Sequence, residues 1–209
     1  MKARPILLTG FEPFGGDTVN PSWRVAQALH GEVIGGARVQ ALCLPCIFGQ
    51  ALTVLKDALQ QHRPQVVLAM GLAAVRADLS VERVALNVDD ARIADNAGAQ
   101  PIDEPVFAGG PAAYFSTLPI KAITSALQQA GLPAAVSQTA GTFVCNHVFY
   151  GLMHQLHQLR RHRTVRAGFM HVPPLSALDL ATQVKAARLA LWTTLQTAVD
   201  LRQSGGSIA

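Results

Sequence analysis

The chain has 209 residues, 50% of them hydrophobic and 14% charged, which suits one domain over 1–209 with a large core and argues against disorder. Its net charge of +4 is not gathered into a patch: the densest run, Arg160-Arg161-His162-Arg163, reads as the basic end of a helix, so a nucleic-acid partner is not expected. No stretch approaches the roughly 18 consecutive apolar residues that span a membrane, and the opening apolar run Ile6–Leu8 is too short for a signal core.

Those exclusions, with an odd set of cysteines (Cys43, Cys46 and Cys145), point to a soluble protein of the cytoplasm, a reducing compartment. The Cys43-x-x-Cys46 pair has no second pair beside it and sits at a strand end, so it reads as two small core or loop residues.

In chain order, Pro5–Thr9 is a predicted strand, and Trp23–Leu29 a helix opened by Asn20-Pro21-Ser22, with proline in the first turn. Arg38–Leu44 is a second strand. Gln50–Gln61 follows as a helix, with Leu52, Leu55 and Leu59 on one face. Gln65–Met70 is a strand stopped by Gly71, and Glu82–Val88 another, of a pattern that suits an antiparallel partner. Asp89–Thr117 is a long loop rich in Gly and Pro, of the kind that forms binding loops. Then come helix Ile120–Gln129, strand Ala134–Gln138 and a helix that begins near Cys145 and runs through Phe149–Leu159. Strand Arg166–Val172 and a closing helix from about Ser176 to Leu201 complete the chain. This alternation predicts an α/β fold: a single-domain, open, twisted, mainly parallel sheet with helices on both faces, and a site beyond the carboxyl ends of its strands.

Cys145 stands where a small-residue turn enters a helix. A helix start offers unpaired N–H groups and the positive dipole end, which lower a thiol's pKa and stabilise an oxyanion. A cysteine buried on a helix face fits the same pattern, and both readings stay open. Of the histidines, His147 lies two residues along the same helix and points away from Cys145. His171 ends a strand on the side of the sheet where the Cys145 helix begins, either as a base or as a structural residue. Glu82 opens an apolar strand, where a carboxylate needs a partner: His171, or neighbouring Arg76 or Arg83.

The chain resembles the type I pyroglutamyl peptidases. The likeness is carried by Thr9-Gly10-Phe11-Glu12-Pro13-Phe14-Gly15-Gly16 with Asn20-Pro21-Ser22-Trp23, by Glu82-Arg83-Val84-Ala85, by Asp90-Ala91-Arg92-Ile93-Ala94-Asp95-Asn96 with Gln100-Pro101-Ile102-Asp103, and by the Cys145 and His171 segments. The blocks are collinear from residue 9 to 174 and specific as a set. The resemblance implies a cysteine peptidase that removes N-terminal pyroglutamate from peptides and proteins through a thioester, without cofactor or metal, and commonly as a homotetramer.

Carried over by motif, the triad is Cys145, His171 and Glu82. Arg92 joins the backbone N–H of Cys145 at the oxyanion, and Phe11, Phe14 and Phe143 form the slot for the lactam ring. A flat lactam with no free α-amine suits aromatic faces plus hydrogen bonds. One stretch departs from the family: where Gly-Gln-Ala-Gly-Gly-Arg is usual, this chain reads Gly71-Leu72-Ala73-Ala74-Val75-Arg76, which puts an apolar Leu72 on the pocket wall. The alternatives are a related cysteine amidase acting on another small acyl or lactam amide, and a catalytically weakened binding member of the fold.

Overall fold

A computed structural model describes residues 3–206. Two strands, β1 (Ile6–Phe11) and β4 (Val66–Leu72), form the centre of the sheet and are buried almost throughout. Such continuous Ile/Leu/Val runs are what a strand covered on both faces requires. Between them the chain passes through α1 (Pro21–Leu29), the short β2 (Val33–Ile34), β3 (Ala37–Leu44) and α2 (Gln50–His62). After β4 come β5 (Leu79–Glu82), β6 (Val84–Leu86), β7 (Ala113–Phe115), α3 (Ile120–Gln129) and β8 (Ala134–Ser137). The chain then runs through α4 (Val144–Gln158), β9 (Arg166–Val172) and α5 (Leu180–Gln196).

Seven strands make one open sheet in the order β2-β3-β1-β4-β9-β5-β8. Neighbours from β3 to β9 are parallel, and so are β5 and β8, while β5 runs antiparallel to β9 and β2 to β3. The mainly parallel α/β fold expected from the sequence is therefore the one observed. Alternate residues feed two cores. Leu68, Met70, Met170 and Val172 pack on the α1, α3 and α5 side. Val67, Ala69, Ala167 and Phe169 pack on the α2 and α4 side. This period of two decides which way each residue at the strand ends faces.

Three expectations shift. The predicted strand Glu82–Val88 is two strands. Its chain leaves the main sheet at Arg83, and β6 pairs antiparallel with β7 from the far end of the long loop. The closing helix is shorter than Ser176–Leu201, because Asp179 accepts from Thr182 N–H and so sets the start of α5. Gly71 does not stop its strand: β4 continues to Leu72, and the glycine has another purpose, described next.

Candidate active site

The approach to α4 is made by Gly141 in a left-handed conformation (φ 79°) and by extended Phe143 at the cap, which offers no side-chain hydrogen bond to the first turn. His147 N–H makes the first intrahelical bond, to Phe143 O at 3.1 Å, so the N–H groups before it stand outside the helix ladder. Cys145 is the second helical residue.

The residues beside it hold this helix end in place. Asn146 accepts from Leu86 N–H and donates to Leu86 O and Val88 O, all at 2.9 Å. His147 Nε2 accepts from Gly49 N–H at 2.9 Å, so its ring proton lies on Nδ1 and is donated to Asp89 Oδ2 at 2.7 Å. Thr142 Oγ1 donates to Asp90 O at 2.7 Å while Asp90 N–H donates to Thr142 O at 2.9 Å. The long loop after β6 is thus the seat of the thiol's helix.

On the sheet side the thiol rests on Gly71. A Cβ built there would lie 2.6 Å from Cys145 Sγ and 2.9 Å from Phe169 Cζ, so only a glycine admits the sulfur. The register partner of Gly71 on β9 is His171, and both face the α2 and α4 side. Next across, Glu82 on β5 is fully buried. His171 Nδ1 donates to its Oε1 at 2.8 Å, and Arg76 donates to the same oxygen at 2.8 Å. Arg76 also donates to Ser137 Oγ (3.2 Å) and Thr139 O (2.9 Å), tying the carboxylate to the turn that leads to Cys145. No hydrogen bond joins Cys145 Sγ to His171 among the described residues, and such pairs commonly tighten only around substrate.

Burial pushes the Cys145 thiol above its ordinary value, with Cys46 and Glu82 adding to the rise and Arg76 opposing it. Burial thus acts against the lowered pKa expected of a helix start. Cys46 lies in the second core beside this site and is pushed up to about 12, by burial first and then by Glu12 and Asp95.

The aromatic residues divide. Phe14 and Phe143 are half-buried with ring centres 6.0 Å apart, and Phe48 meets Phe143 edge-on at 5.4 Å. Phe48 was not singled out from the sequence, although Pro45-Cys46-Ile47-Phe48-Gly49 is a loop entering a helix, a frequent place for site residues. Phe11 lies behind them, 2% exposed, against Phe169. Arg92 is exposed, in the turn that follows Asp90, and makes no hydrogen bond among the described residues. Leu72 falls on the opposite face from Gly71 and lines a separate cleft with Val19, Pro21, Pro174 and Leu175.

Fold and site together define an open-sheet α/β protein with a helix-start thiol beside a strand-borne imidazole that is backed by a buried carboxylate. Residues 4–198 match the model of a family described as pyroglutamyl peptidase. The pyrrolidone-carboxylate peptidase of Cupriavidus taiwanensis is 55% identical over 97% of this chain and 98% of its own. The crystal structure of Bacillus amyloliquefaciens pyroglutamyl peptidase I superposes with a TM-score of 0.90 at 43% identity, over 95% of this chain and all of that one. The pyrrolidone carboxyl peptidase of Thermococcus litoralis gives 0.91 at 36% identity, over 96% and 99%. The chain belongs to the pyroglutamyl peptidase family, cysteine-peptidase hydrolases that remove N-terminal pyroglutamate.

Proposed function

We propose that this enzyme hydrolyses the bond after an N-terminal pyroglutamyl residue through a thioester on Cys145. The supporting observation is the placement of Cys145 Sγ on Gly71, whose register partner His171 donates to buried Glu82. With Nδ1 committed to Glu82, Nε2 of His171 is the nitrogen left to take the thiol proton as sulfur attacks the pyroglutamyl carbonyl. The oxyanion that forms meets the unpaired N–H groups at the start of α4, with Arg92 closing over it from the neighbouring turn. His171 then passes its proton to the departing amine. A water molecule, deprotonated by the same nitrogen, attacks the thioester, releasing pyroglutamate and restoring the thiol.

Phe14 and Phe143 offer faces to the lactam ring, Phe48 braces Phe143, and Phe11 supports them from the core. The three free thiols fit the cytoplasm as its compartment, and a homo-oligomer, a tetramer by family resemblance, is its proposed assembly.

A pyroglutamyl fluorogenic amide tests this reading beside other acyl arylamides. Cys145→Ala should lose on the order of a thousandfold or more in turnover, and His171→Ala nearly as much. Glu82→Gln keeps an acceptor for Nδ1 and should retain part of the rate. Phe14→Ala and Phe143→Ala should each weaken pyroglutamyl binding by roughly 1–3 kcal/mol. Faster cleavage of a different acyl amide, or substantial activity in Cys145→Ala, would overturn the assignment.

A further inference from the structure

The cleft that Leu72 lines does not include Phe14, Phe48 or Phe143, and it opens one residue from the thiol's seat. Its volume is about 260 Å³. One wall is the loop before α1, with Val19 and Pro21, and the other is the turn after β9, with Pro174 and Leu175. Both walls are fixed. Asn20 Nδ2 donates to Glu12 O at 3.1 Å, while its Oδ1 accepts from Ser22 N–H at 3.1 Å. Across the cleft, Ala177 N–H and Leu178 N–H donate to Pro174 O at 2.9 and 3.1 Å. Val19 and Leu175 are 38% and 39% exposed, apolar surface that the chain itself leaves uncovered.

The position of the cleft follows from the strand ends. β4 and β9 finish together, with Leu72 in register with Val172 and Ala73 N–H donating to Val172 O at 3.0 Å. Gly71 and His171 face the thiol, whereas Leu72 and the chain just beyond Val172 face the cleft. A peptide whose scissile carbonyl lies at Cys145, and whose leaving nitrogen is protonated by His171, must carry its next residue across these strand ends. One residue advances the chain by at most about 3.3–3.6 Å, so that side chain lies over the ends of β4 and β9, where the cleft opens.

We infer that this cleft receives the side chain of the residue following pyroglutamate and selects a large apolar one. The inference rests on the pyroglutamyl-peptidase reading above. Leu72, which stands where the family carries a glutamine, supplies the apolar floor, and Asp17 lines the same cleft, so acidic residues are disfavoured there.

The test compares kcat/KM for the amides of pyroglutamyl-alanine, pyroglutamyl-leucine and pyroglutamyl-glutamate, beside pyroglutamamide, whose leaving group is ammonia and which reads the acyl half alone. Leucine should exceed alanine by roughly tenfold or more, with glutamate lowest. In Leu175→Asp the leucine-to-alanine ratio should fall towards one, and Val19→Asp, on the opposite wall, repeats the measurement should the first variant fold poorly. Equal rates for leucine and alanine in the unaltered enzyme, or a ratio that survives both substitutions, overturn the inference while cleavage of pyroglutamamide leaves the parent reading standing. Equal rates together with a change of oligomeric state in Leu175→Asp assign the cleft to a second copy of the chain and overturn the inference. No release from any substrate, pyroglutamamide included, overturns both.

Discussion

Gly71 holds more of the site than its lack of a side chain suggests. The space a Cβ would take is filled by Cys145 Sγ on one side and Phe169 on the other, so Gly71→Ala must displace the sulfur or push the ring. Overpacking of this kind costs about 1–3 kcal/mol, and a shift near 1 Å at a reacting atom is worth about a hundredfold in rate. Turnover of Gly71→Ala should therefore drop by about that factor while far-ultraviolet dichroism stays native; an unchanged kcat would mean that the thiol does not rest there. Arg76 acts on the same sulfur from a distance, because it opposes the rise that burial imposes on Cys145. Arg76→Gln should shift the pH profile of Cys145 alkylation by iodoacetamide to more alkaline values and slow labelling at neutral pH. A shift in the acid direction would contradict that electrostatic role.

At the level of elements, one helix start is satisfied from a distant part of the chain. α3 begins after Pro119, which offers it no side-chain cap. Asp200, beyond α5, accepts from Ala122 N–H at 2.9 Å and Lys121 N–H at 3.2 Å instead. Asp200→Ala should lower stability by about 1 kcal/mol, the usual worth of a cap, read from the urea midpoint; an unchanged midpoint would show the contact to be idle. Local signals made much of this architecture legible in advance. Helix Ile120–Gln129 and strand Arg166–Val172 were expected with the bounds observed, the helix from its apolar period and its Ala130-Gly131 stop, the strand from a mostly apolar run that ends before Pro173-Pro174. The break at Arg83 was not legible: what ends β5 there is the departure of the chain to pair with β7, some thirty residues on, and no local pattern carries that. The face of Leu72 was legible in principle, since neighbouring strand residues alternate, but only once the strand was known to pass through Gly71. Cys145, His171 and Glu82 were singled out by their places at a helix start, a strand end and a strand start, and grouped as a triad only through motif resemblance. Their proximity depends on strand order, which spacing does not encode.

For the whole molecule, the buried acids govern its response to alkali. Cys46 is pushed up to about 12 from 9.0, and Tyr150, fully buried, to about 12 from 10.0, by burial first and then by Tyr114. A pKa raised by folding favours the protonated form in the native state. That contribution is complete below the unfolded values, near 9 for Cys46 and near 10 for Tyr150, and is lost as pH climbs through the folded values near 12. Each such group should remove about 1.4 kcal/mol per pH unit across this window, so the urea midpoint should hold to about pH 9 and then decline. Cys46→Ala should shallow that decline, and a midpoint constant to pH 11 would refute the account. The place of β9 in the sheet has a different consequence, one for the order of synthesis. It lies between β4 and β5, though both leave the ribosome long before it. Until Arg166–Val172 emerges, a nascent chain holds two strands with facing edges unpaired and a thiol without its imidazole. Cys145 is therefore made before His171, and the strand that closes the sheet is the same one that brings His171 to Glu82.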